Sequence, residues 1–235
     1  MKSFNFRILL LVLLPLPLQA CATTYSAAPI EASVVDAQTG EPVAGVNVVA
    51  HWELDRAVPT PIPGYFGRDP RGPAQLQIME TVTDQNGHFS FPAWGPLPVP
   101  PLAYLNSSDP AIVMFKPGYS PFGTTNYYPS TFNFTASSTR TSQINGTTIK
   151  IKKFEGDLKA YAEELWFLGS SLDFARSSKP PGCEWTRIPR MLAAVNKQER
   201  IFEDAKIYTS LPSIERLPFQ DQCGSAQELL KEYLK

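Results

Sequence analysis

The sequence predicts a mainly β protein with appended helices, in which an antiparallel β-sandwich precedes a C-terminal helical segment. Apolar residues alternate in several short segments between about residues 30 and 154, and Gly/Pro-rich turns separate those segments. From about residue 155 the apolar residues recur instead at helical spacing. Many short strands joined by turns are typical of a sandwich, and the helices that follow are expected to pack on it.

The N-terminal segment has the features of a secretory signal. Lys2 and Arg7 precede an apolar run of eleven residues, 8–18, which two prolines interrupt. A helix that spans a bilayer needs about 20 apolar residues, so this run is too short to cross a membrane. Its length, its charged start and its position predict a signal peptide that is removed from the mature protein.

The end of this segment resembles the lipobox of bacterial lipoproteins, whose four positions are Leu18, Gln19, Ala20 and Cys21. The resemblance implies that residues 1–20 are removed and that Cys21 becomes a lipid-carrying N-terminus. Several acyl chains, at about 0.8 kcal/mol per buried methylene, would hold the protein on a membrane. Ala22 in place of Asp favours the periplasmic face of the outer membrane, with residues 21–29 as a polar tether. The alternative is ordinary cleavage after Ala22, which would release a soluble secreted or periplasmic protein.

The composition excludes a general affinity for nucleic acid. The chain has 235 residues and a formal net charge of −1, and removal of residues 1–20 takes away two cations and leaves −3. A chain of this charge has no basic field to attract a nucleic-acid backbone. Its 23 prolines are about twice the usual share, which indicates long ordered connections between the strands.

The predicted strands begin with residues 30–36 and 46–54, which a Gly/Pro turn separates. A proline-rich loop leads to a third strand, and the sequence DQNG (84–87) ends that strand with the chemistry of a tight hairpin turn. Further strands are expected at 111–115 and 147–153. The alternation of side chains predicts that one core contains Val46, Val48, Trp52, Phe89, Phe91, Ile149 and Ile151.

Three motifs in these strands resemble the carboxypeptidase regulatory-like domain. They are a D-x-x-T-G-x-P-x-x-G run that begins at Asp36, a T-D-x-x-G-x-F run that begins at Thr83, and a P-G-Y at 117–119. The resemblance covers roughly residues 30–154 and implies a transthyretin-like β-sandwich of about seven strands. It also implies an accessory role, because in carboxypeptidases the related domain accompanies a catalytic zinc domain, and no zinc-peptidase domain is recognised beside it here.

Residues 155–235 are predicted to form three helices that pack on the sandwich. In the first helix the apolar residues recur at helical spacing between Leu158 and Leu172. Pro189 suits the first turn of the second helix. The third helix would begin with Ser225 and Glu228, which have the spacing of a capping box.

A lipid anchor at Cys21 would account for the odd number of cysteines. The chain has three cysteines, and if Cys21 carries lipid, Cys183 and Cys223 can pair in an oxidising compartment. A bond between them would close a loop of about 40 residues and stabilise the helical part by roughly 4 kcal/mol on the chain-entropy model. The alternative is two buried free thiols, because sequence alone cannot place their Cα atoms within bonding range.

The residues that could carry chemistry do not form a recognisable catalytic or metal motif. His51 and His88 are expected to point outward from their strands as a solvated pair rather than to share a metal. Asp157, Glu163 and Glu164 are expected on the solvated side of the first helix. We therefore predict no enzymatic activity, no cofactor and no metal.

Two functions are compatible with these observations. The first is a non-enzymatic, lipid-anchored envelope protein whose β-sandwich serves protein–protein contact or scaffolding, with another envelope protein as its partner. The alternative is a ligand-binding module that holds carbohydrate or peptide through its proline-rich aromatic loops. Tyr65, Phe66 and Trp94 are the candidates for that role, although aromatic residues in such loops also pin a loop to the body of a protein.

Labelled palmitate should be incorporated into the wild-type protein and not into Cys21→Ser, because the lipobox assigns the acyl chains to this cysteine. The labelled protein should sediment with the outer membrane. A mature N-terminus at Thr23, found in the soluble fraction, would contradict lipidation.

Overall fold

The computed structural model of the protein describes residues 23–70, 72–127, 138–177 and 182–234, and its architecture is mainly β with a helical C-terminal part. The strands are β1 Thr24–Ala27, β2 Ile30–Asp36, β3 Asn47–Pro59, β4 Phe66–Arg68, β5 Ala74–Val82, β6 His88–Phe91, β7 Trp94–Pro98, β8 Ala103–Leu105, β9 Ala111–Phe115, β10 Phe122–Thr124, β11 Thr139–Arg140 and β12 Thr148–Ile151. The helices are α1 Leu158–Glu164, α2 Trp166–Ser171, α3 Pro189–Asp204, α4 Gln220–Cys223 and α5 Ala226–Leu230.

Strand β3 organises the largest of the three sheets that these strands form. β5 and then β4 pair along one of its edges, while β9 and β8 pair along the other, and all four pairings are antiparallel. β10 extends this sheet beyond β9. The second sheet has the order β12-β2-β6, and the third has the order β11-β1-β7.

Alternate side chains of β3 enter two different apolar clusters. Val48, Ala50 and Trp52 pack with residues of β2, β6 and β12. On the opposite face, Val49 packs with residues of β9 and of the helices. Because successive side chains of a strand point to opposite faces, the large sheet is a middle layer between a smaller sheet and a helical layer.

The predicted core is confirmed, since Val46, Val48, Trp52, Phe89, Phe91, Ile149 and Ile151 are all buried. The expectation of a wholly antiparallel arrangement is wrong in two places. β12 runs parallel to β2, and β11 runs parallel to β1. A long connection separates the strands of each of these pairs, and such a connection lets the chain return in the same direction.

The DQNG turn forms, but the predicted hairpin is wrong. Gly87 N donates to Asp84 O at 3.0 Å, and Gly87 has the positive φ of +71° that this turn requires. However, β5 before the turn pairs with β3, whereas β6 after it pairs with β2. Turn chemistry reverses the chain, but the hydrophobic pattern of the neighbours decides which strand the returning segment pairs with.

The predicted tether is shorter than expected, because residues 24–27 form strand β1. Tyr25 lies opposite Leu97 of β7, and Val99 N donates to Thr23 O at 2.9 Å. Ala27 is buried in the same cluster as Trp52. Residues 24–27 of the predicted tether are therefore part of the folded body.

The predicted helices are shorter and more interrupted than their apolar spacing suggests. The first is divided at Leu165 into α1 and α2, and the carboxylate of Asp157 caps α1 by accepting from Ala160 N at 2.8 Å. α3 begins with Pro189, as predicted. Ser225 is the N-cap of α5 but makes no side-chain bond there, so the expected capping box does not form.

Polar bonds hold the helical layer on the large sheet. Glu80 of β5 accepts from the backbone nitrogens of Arg190 and Met191, at 3.0 and 2.7 Å, and so caps α3 from another element. Burial raises the pKa of Glu80 to about 6. The hydroxyl of Tyr161 accepts from Gly118 N and donates to Tyr119 O, both at 2.9 Å.

The two C-terminal cysteines form a disulfide. Cys183 and Cys223 have Cα atoms 5.6 Å apart, within the usual range for the bond. The bond joins the segment before α3 to the end of α4 and closes a loop with a sequence separation of 40.

Phe91→Ala should lower the free energy of unfolding by about 3–5 kcal/mol, because the ring is buried and its removal leaves a cavity. Chemical denaturation measures this change. The matched control is Ser90→Ala on the exposed face of β6, which should change stability by less than about 0.5 kcal/mol. A loss below about 1 kcal/mol at Phe91 would contradict its place in the core.

Candidate functional site

An open groove of about 670 Å³ lies between β5 and the helical layer. Residues from Gly72 to Ile78 form one wall, and two 3-10 turns, Asp173–Arg176 and Glu184–Arg187, contribute to the other. A second cavity of about 450 Å³ extends toward β9 and β10. The two cavities share Glu53, Asp173 and Phe174 as lining residues, so they form one continuous region.

The wall that β5 provides is the edge of a sheet. β5 pairs with β3 along one side, and no strand pairs with its other side in the described part of the chain. Such an edge presents backbone N–H and C=O groups with which another chain can pair. Arg187 Nη1 donates to Gln77 Oε1 at 2.8 Å, a bond that holds the helical wall against this strand.

Carboxylates outnumber cations along the groove. Glu53, Asp173 and Glu184 line it together with Arg187, and Asp173 is paired with Arg176. One carboxylate oxygen of Glu184 is buried and has no hydrogen-bond partner among the described residues.

His51 lies inside the protein beside the second cavity, and the expectation that it points to solvent is wrong. Its exposed fraction is 6%, and its ring stacks on Phe174 with centroids 4.5 Å apart. The strand alternation assigned it correctly to the face opposite Trp52, but the helical layer covers that face. His88 is exposed, as expected.

A short hydrogen-bond chain fixes which ring nitrogen of His51 carries the proton. His51 Nδ1 lies 3.1 Å from Gln75 Oε1, and Gln75 Nε2 donates to Glu53 Oε1 at 2.9 Å. Since the amide oxygen only accepts, Nδ1 carries the proton, and Nε2 of the neutral ring is left as an acceptor. Burial lowers the pKa of His51, which keeps the ring neutral. His51 is also among the residues that line the second cavity.

Asp109 is a second buried carboxyl group near Glu53. Burial raises the pKa of Asp109 to about 7, and the negative charge of Glu53 adds to this effect. Backbone hydrogen bonds from Glu53 and Asn106, and the positive charge of Arg140, oppose it. The charge of Asp109 is thus sensitive to pH near neutrality, and it interacts with Glu53, which lines the groove.

The three predicted aromatic candidates do not meet at one site. Tyr65 and Phe66 are exposed at the tip of the β3–β4 hairpin, with exposed fractions of 67% and 60%. Trp94 is buried, and its ring lies edge-on to Trp52 with centroids 5.2 Å apart. Trp94 therefore pins its segment to the core, which is the role that aromatic residues in such loops were expected to share with ligand binding.

The remaining candidates, Cys21 and the acidic residues of the first helix, are not among the described residues that line the groove. Cys21 lies outside the described residues. Asp157 caps a helix, while Glu163 and Glu164 are exposed on α1. In the described segments no group of three or more His, Cys, Asp or Glu side chains could hold a metal ion. No helix in those segments is both long enough and apolar enough to span a bilayer.

Sequence reasoning missed the groove, although one signal for it was present. The residues Val48, Val49 and Ala50 form a continuous apolar run within β3, although Asn47 and His51, on the same parity as Val49, are polar. A strand with a nearly continuous apolar run is typical of a sheet covered on both faces. That pattern indicates a layer opposite the core, and a seam between the two layers is where the groove lies.

No protein-family model matches the chain, and no curated protein matches it. Among solved structures it is similar to a 3-chlorocatechol 1,2-dioxygenase from Rhodococcus opacus 1CP, with 21% identity over 48% of this chain and 47% of that chain and a TM-score of 0.28. It is also similar to a streptococcal ancillary pilin, with 12% identity over 57% of this chain and 31% of that chain and a TM-score of 0.22. A 9R-lipoxygenase from Cyanothece PCC8801 is similar with 12% identity over 77% of this chain and 28% of that chain and a TM-score of 0.24. The chain spans less than half the length of each. Similarities of this size assign neither fold nor activity.

Asp109→Asn should flatten the pH dependence of stability. The pKa of Asp109 is about 7 in the folded protein against an ordinary value of 3.8, so the folded state holds a proton that the unfolded state releases. The free energy of unfolding should therefore fall as the pH rises from about 4 to 7, by up to about 4 kcal/mol from this group. Urea denaturation at both pH values measures the difference between wild type and variant.

The matched control is Asp221→Asn, which removes an exposed carboxylate and should leave the pH dependence of the wild type in place. An unchanged pH slope in Asp109→Asn would contradict a raised pKa at this position.

Proposed function

We propose that the protein is a non-enzymatic, lipid-anchored envelope protein that makes contact with a partner protein, and that the groove beside β5 holds an extended segment of that partner. The observation that carries the proposal is the unpaired edge of β5 within an open groove. A groove with a free strand edge on one wall suits an extended chain better than a compact small molecule.

The contact would be a strand addition. Backbone groups of the partner segment would pair with those of β5 from Ala74 to Ile78, which supplies affinity without regard to sequence. The carboxylates of Glu53 and Glu184 would supply selectivity by favouring a lysine or arginine side chain. A basic side chain that reaches the carboxylate of Glu184 would form a charge-assisted hydrogen bond with it.

The lipid anchor is supported by the residues from Leu18 to Cys21, which resemble a lipobox. The carbonyl oxygen of Thr23, two residues after Cys21, accepts a hydrogen bond from Val99 N. Lipid at Cys21 would therefore hold the body against the membrane surface rather than at the end of a long linker. We place the protein on the periplasmic face of the outer membrane, where a polypeptide partner is accessible.

We further propose that the two facing sheets correspond to a transthyretin-like β-sandwich. Supporting this, residues of the first two motifs are joined directly: Thr83 Oγ1 accepts from Val46 N at 2.9 Å and donates to Val43 O at 2.7 Å. The motif glycines Gly40 and Gly118 have positive φ values of +73° and +85°, conformations that favour glycine.

The alternative function, a module that binds carbohydrate through aromatic loops, rests on Tyr65 and Phe66, since Trp94 is buried. If the ligand is a peptide instead of a carbohydrate, its binding site would be the same groove, and the crosslinking experiment below tests it.

A photo-crosslinking amino acid at Gln77, on the groove wall, should capture a partner in cells, whereas the same amino acid at Lys150, exposed on β12 of the other sheet, should not. Glu184→Lys should weaken capture at least about tenfold, because it places a positive charge where a basic side chain is expected. Palmitate incorporation tests the anchor separately.

The matched charge reversal is Glu228→Lys, which changes an exposed residue of α5 and should leave capture unchanged. Equal capture from Gln77 and Lys150, or capture that survives Glu184→Lys, would contradict the groove as the contact site.

A further inference from the structure

We propose that the tip of the β3–β4 hairpin contacts the lipid surface of the membrane that holds the N-terminus. The tip is defined by Ile62, Tyr65 and Phe66, and we refer to these three residues as the aromatic tip. The inference rests on the proposed lipid anchor at Cys21, and it adds an orientation of the folded body on the membrane.

The aromatic tip is strongly exposed. Its three side chains have exposed fractions of 60%, 67% and 60%. Leu102 and Tyr104, at the start of β8, are also exposed, at 54% and 42%. Large apolar side chains gathered at one end of a protein mark an interaction surface, whereas isolated ones need no explanation.

Hydrogen bonds within the hairpin define the conformation of the tip. Tyr65 N donates to Ile62 O at 3.1 Å across the Pro63-Gly64 pair, and Gly64 has a φ of +82°. Proline followed by a glycine with positive φ is the signature of a type II turn. The hydroxyl of Thr60 also donates to Tyr65 O at 3.0 Å. The turn therefore presents Ile62 and Tyr65 on its two sides.

Backbone bonds place the N-terminus at the same end of the molecule. Thr23 O accepts from Val99 N, and three residues later Leu102 O accepts from Ala57 N, each at 2.9 Å. Ala57 is two residues before Pro59, which lies opposite Phe66 in the β3–β4 pair. This path from Thr23 to the tip spans no more than about 30 Å, even if every step is fully extended.

The short chain between Cys21 and Thr23 identifies the occupant. Two residues reach at most about 7 Å, so acyl chains on Cys21 would enter the bilayer close to this end of the protein. A lipid surface would then lie beside the aromatic tip without any additional partner. Aromatic side chains favour the boundary between headgroups and acyl chains, because they combine an apolar ring with a polar atom.

The charges near the tip are compatible with anionic headgroups. Arg56, next to Ala57 on β3, is exposed, whereas the acidic residues of this region, Asp55 and Asp69, are buried. Cationic residues near a membrane surface add attraction to anionic lipids.

A single fluorescent label can test the orientation. Cys183 and Cys223 are in a disulfide, and Cys21 would carry lipid, so Tyr65→Cys introduces one reactive thiol for an environment-sensitive dye. The full-length lipidated protein is placed in vesicles of phosphatidylethanolamine and phosphatidylglycerol. The label at position 65 should shift its emission to shorter wavelength and be quenched by spin-labelled lipids.

Tyr208→Cys is the matched control, because Tyr208 is another exposed tyrosine, at 99%, and lies on the helical layer after α3. Its label should keep the emission of a dye in water. A second variant adds Ile62→Ser and Phe66→Ser to Tyr65→Cys, and its label should move back toward the emission in water, since the apolar neighbours that favour the bilayer are gone.

The outcomes separate this inference from the proposed function. If palmitate is incorporated and the label at 65 is as accessible to water as the label at 208, the orientation is overturned while the anchor stands. If palmitate is not incorporated, both are overturned. If the label at 65 becomes protected only when an envelope protein extract is added, without quenching by the lipids, the tip binds protein and the lipid contact is overturned.

Discussion

Strand β3 is buried on both faces, and this constraint determines how the other layers are arranged. Val48 and Trp52 need the small sheet of β2, β6 and β12 as a cover, and Val49 needs the helices. Removal of either layer would return apolar surface to water at about 25 cal/mol per Å². The large sheet therefore holds a β-layer and a helical layer together in one body, and the groove lies at the seam between the large sheet and the helices.

The helical layer depends on this sheet more than on its own helices. Apart from α3 the helices have seven residues or fewer, and isolated helices of that length are not stable in water. Glu80 caps α3 from the sheet, Tyr161 bonds to the loop after β9, and the disulfide joins the ends of the segment around α3. These bonds fix the 3-10 turns that form one wall of the groove, so the shape of the groove follows from the attachment of the helices.

The core could be predicted from sequence because each strand carries its own alternation, as Phe89 and Phe91 illustrate. The disulfide partners also followed from the cysteine count. Pairing between distant segments could not be predicted in the same way: the DQNG turn has hairpin chemistry, yet its strands enter different sheets, and β1 forms within the expected tether. The burial of His51 depends on a layer that is more than 100 residues further along the chain, and no local pattern contains that information.

Strand β3 connects the two proposed contacts, because Glu53 lines the groove and Pro59 leads into the aromatic tip. Glu53 in the groove and Pro59 below the aromatic tip are six residues apart on β3, which corresponds to about 20 Å. A lipid contact at the tip would therefore hold Glu53 no further than about this distance beyond the base of the tip. Because β3 is paired on both edges at Leu54, the strand cannot bend freely between the two contacts. A partner segment that pairs with β5 would then have to approach within roughly that distance of the tip, so the orientation of the anchor would add to the selectivity that the carboxylates of the groove provide.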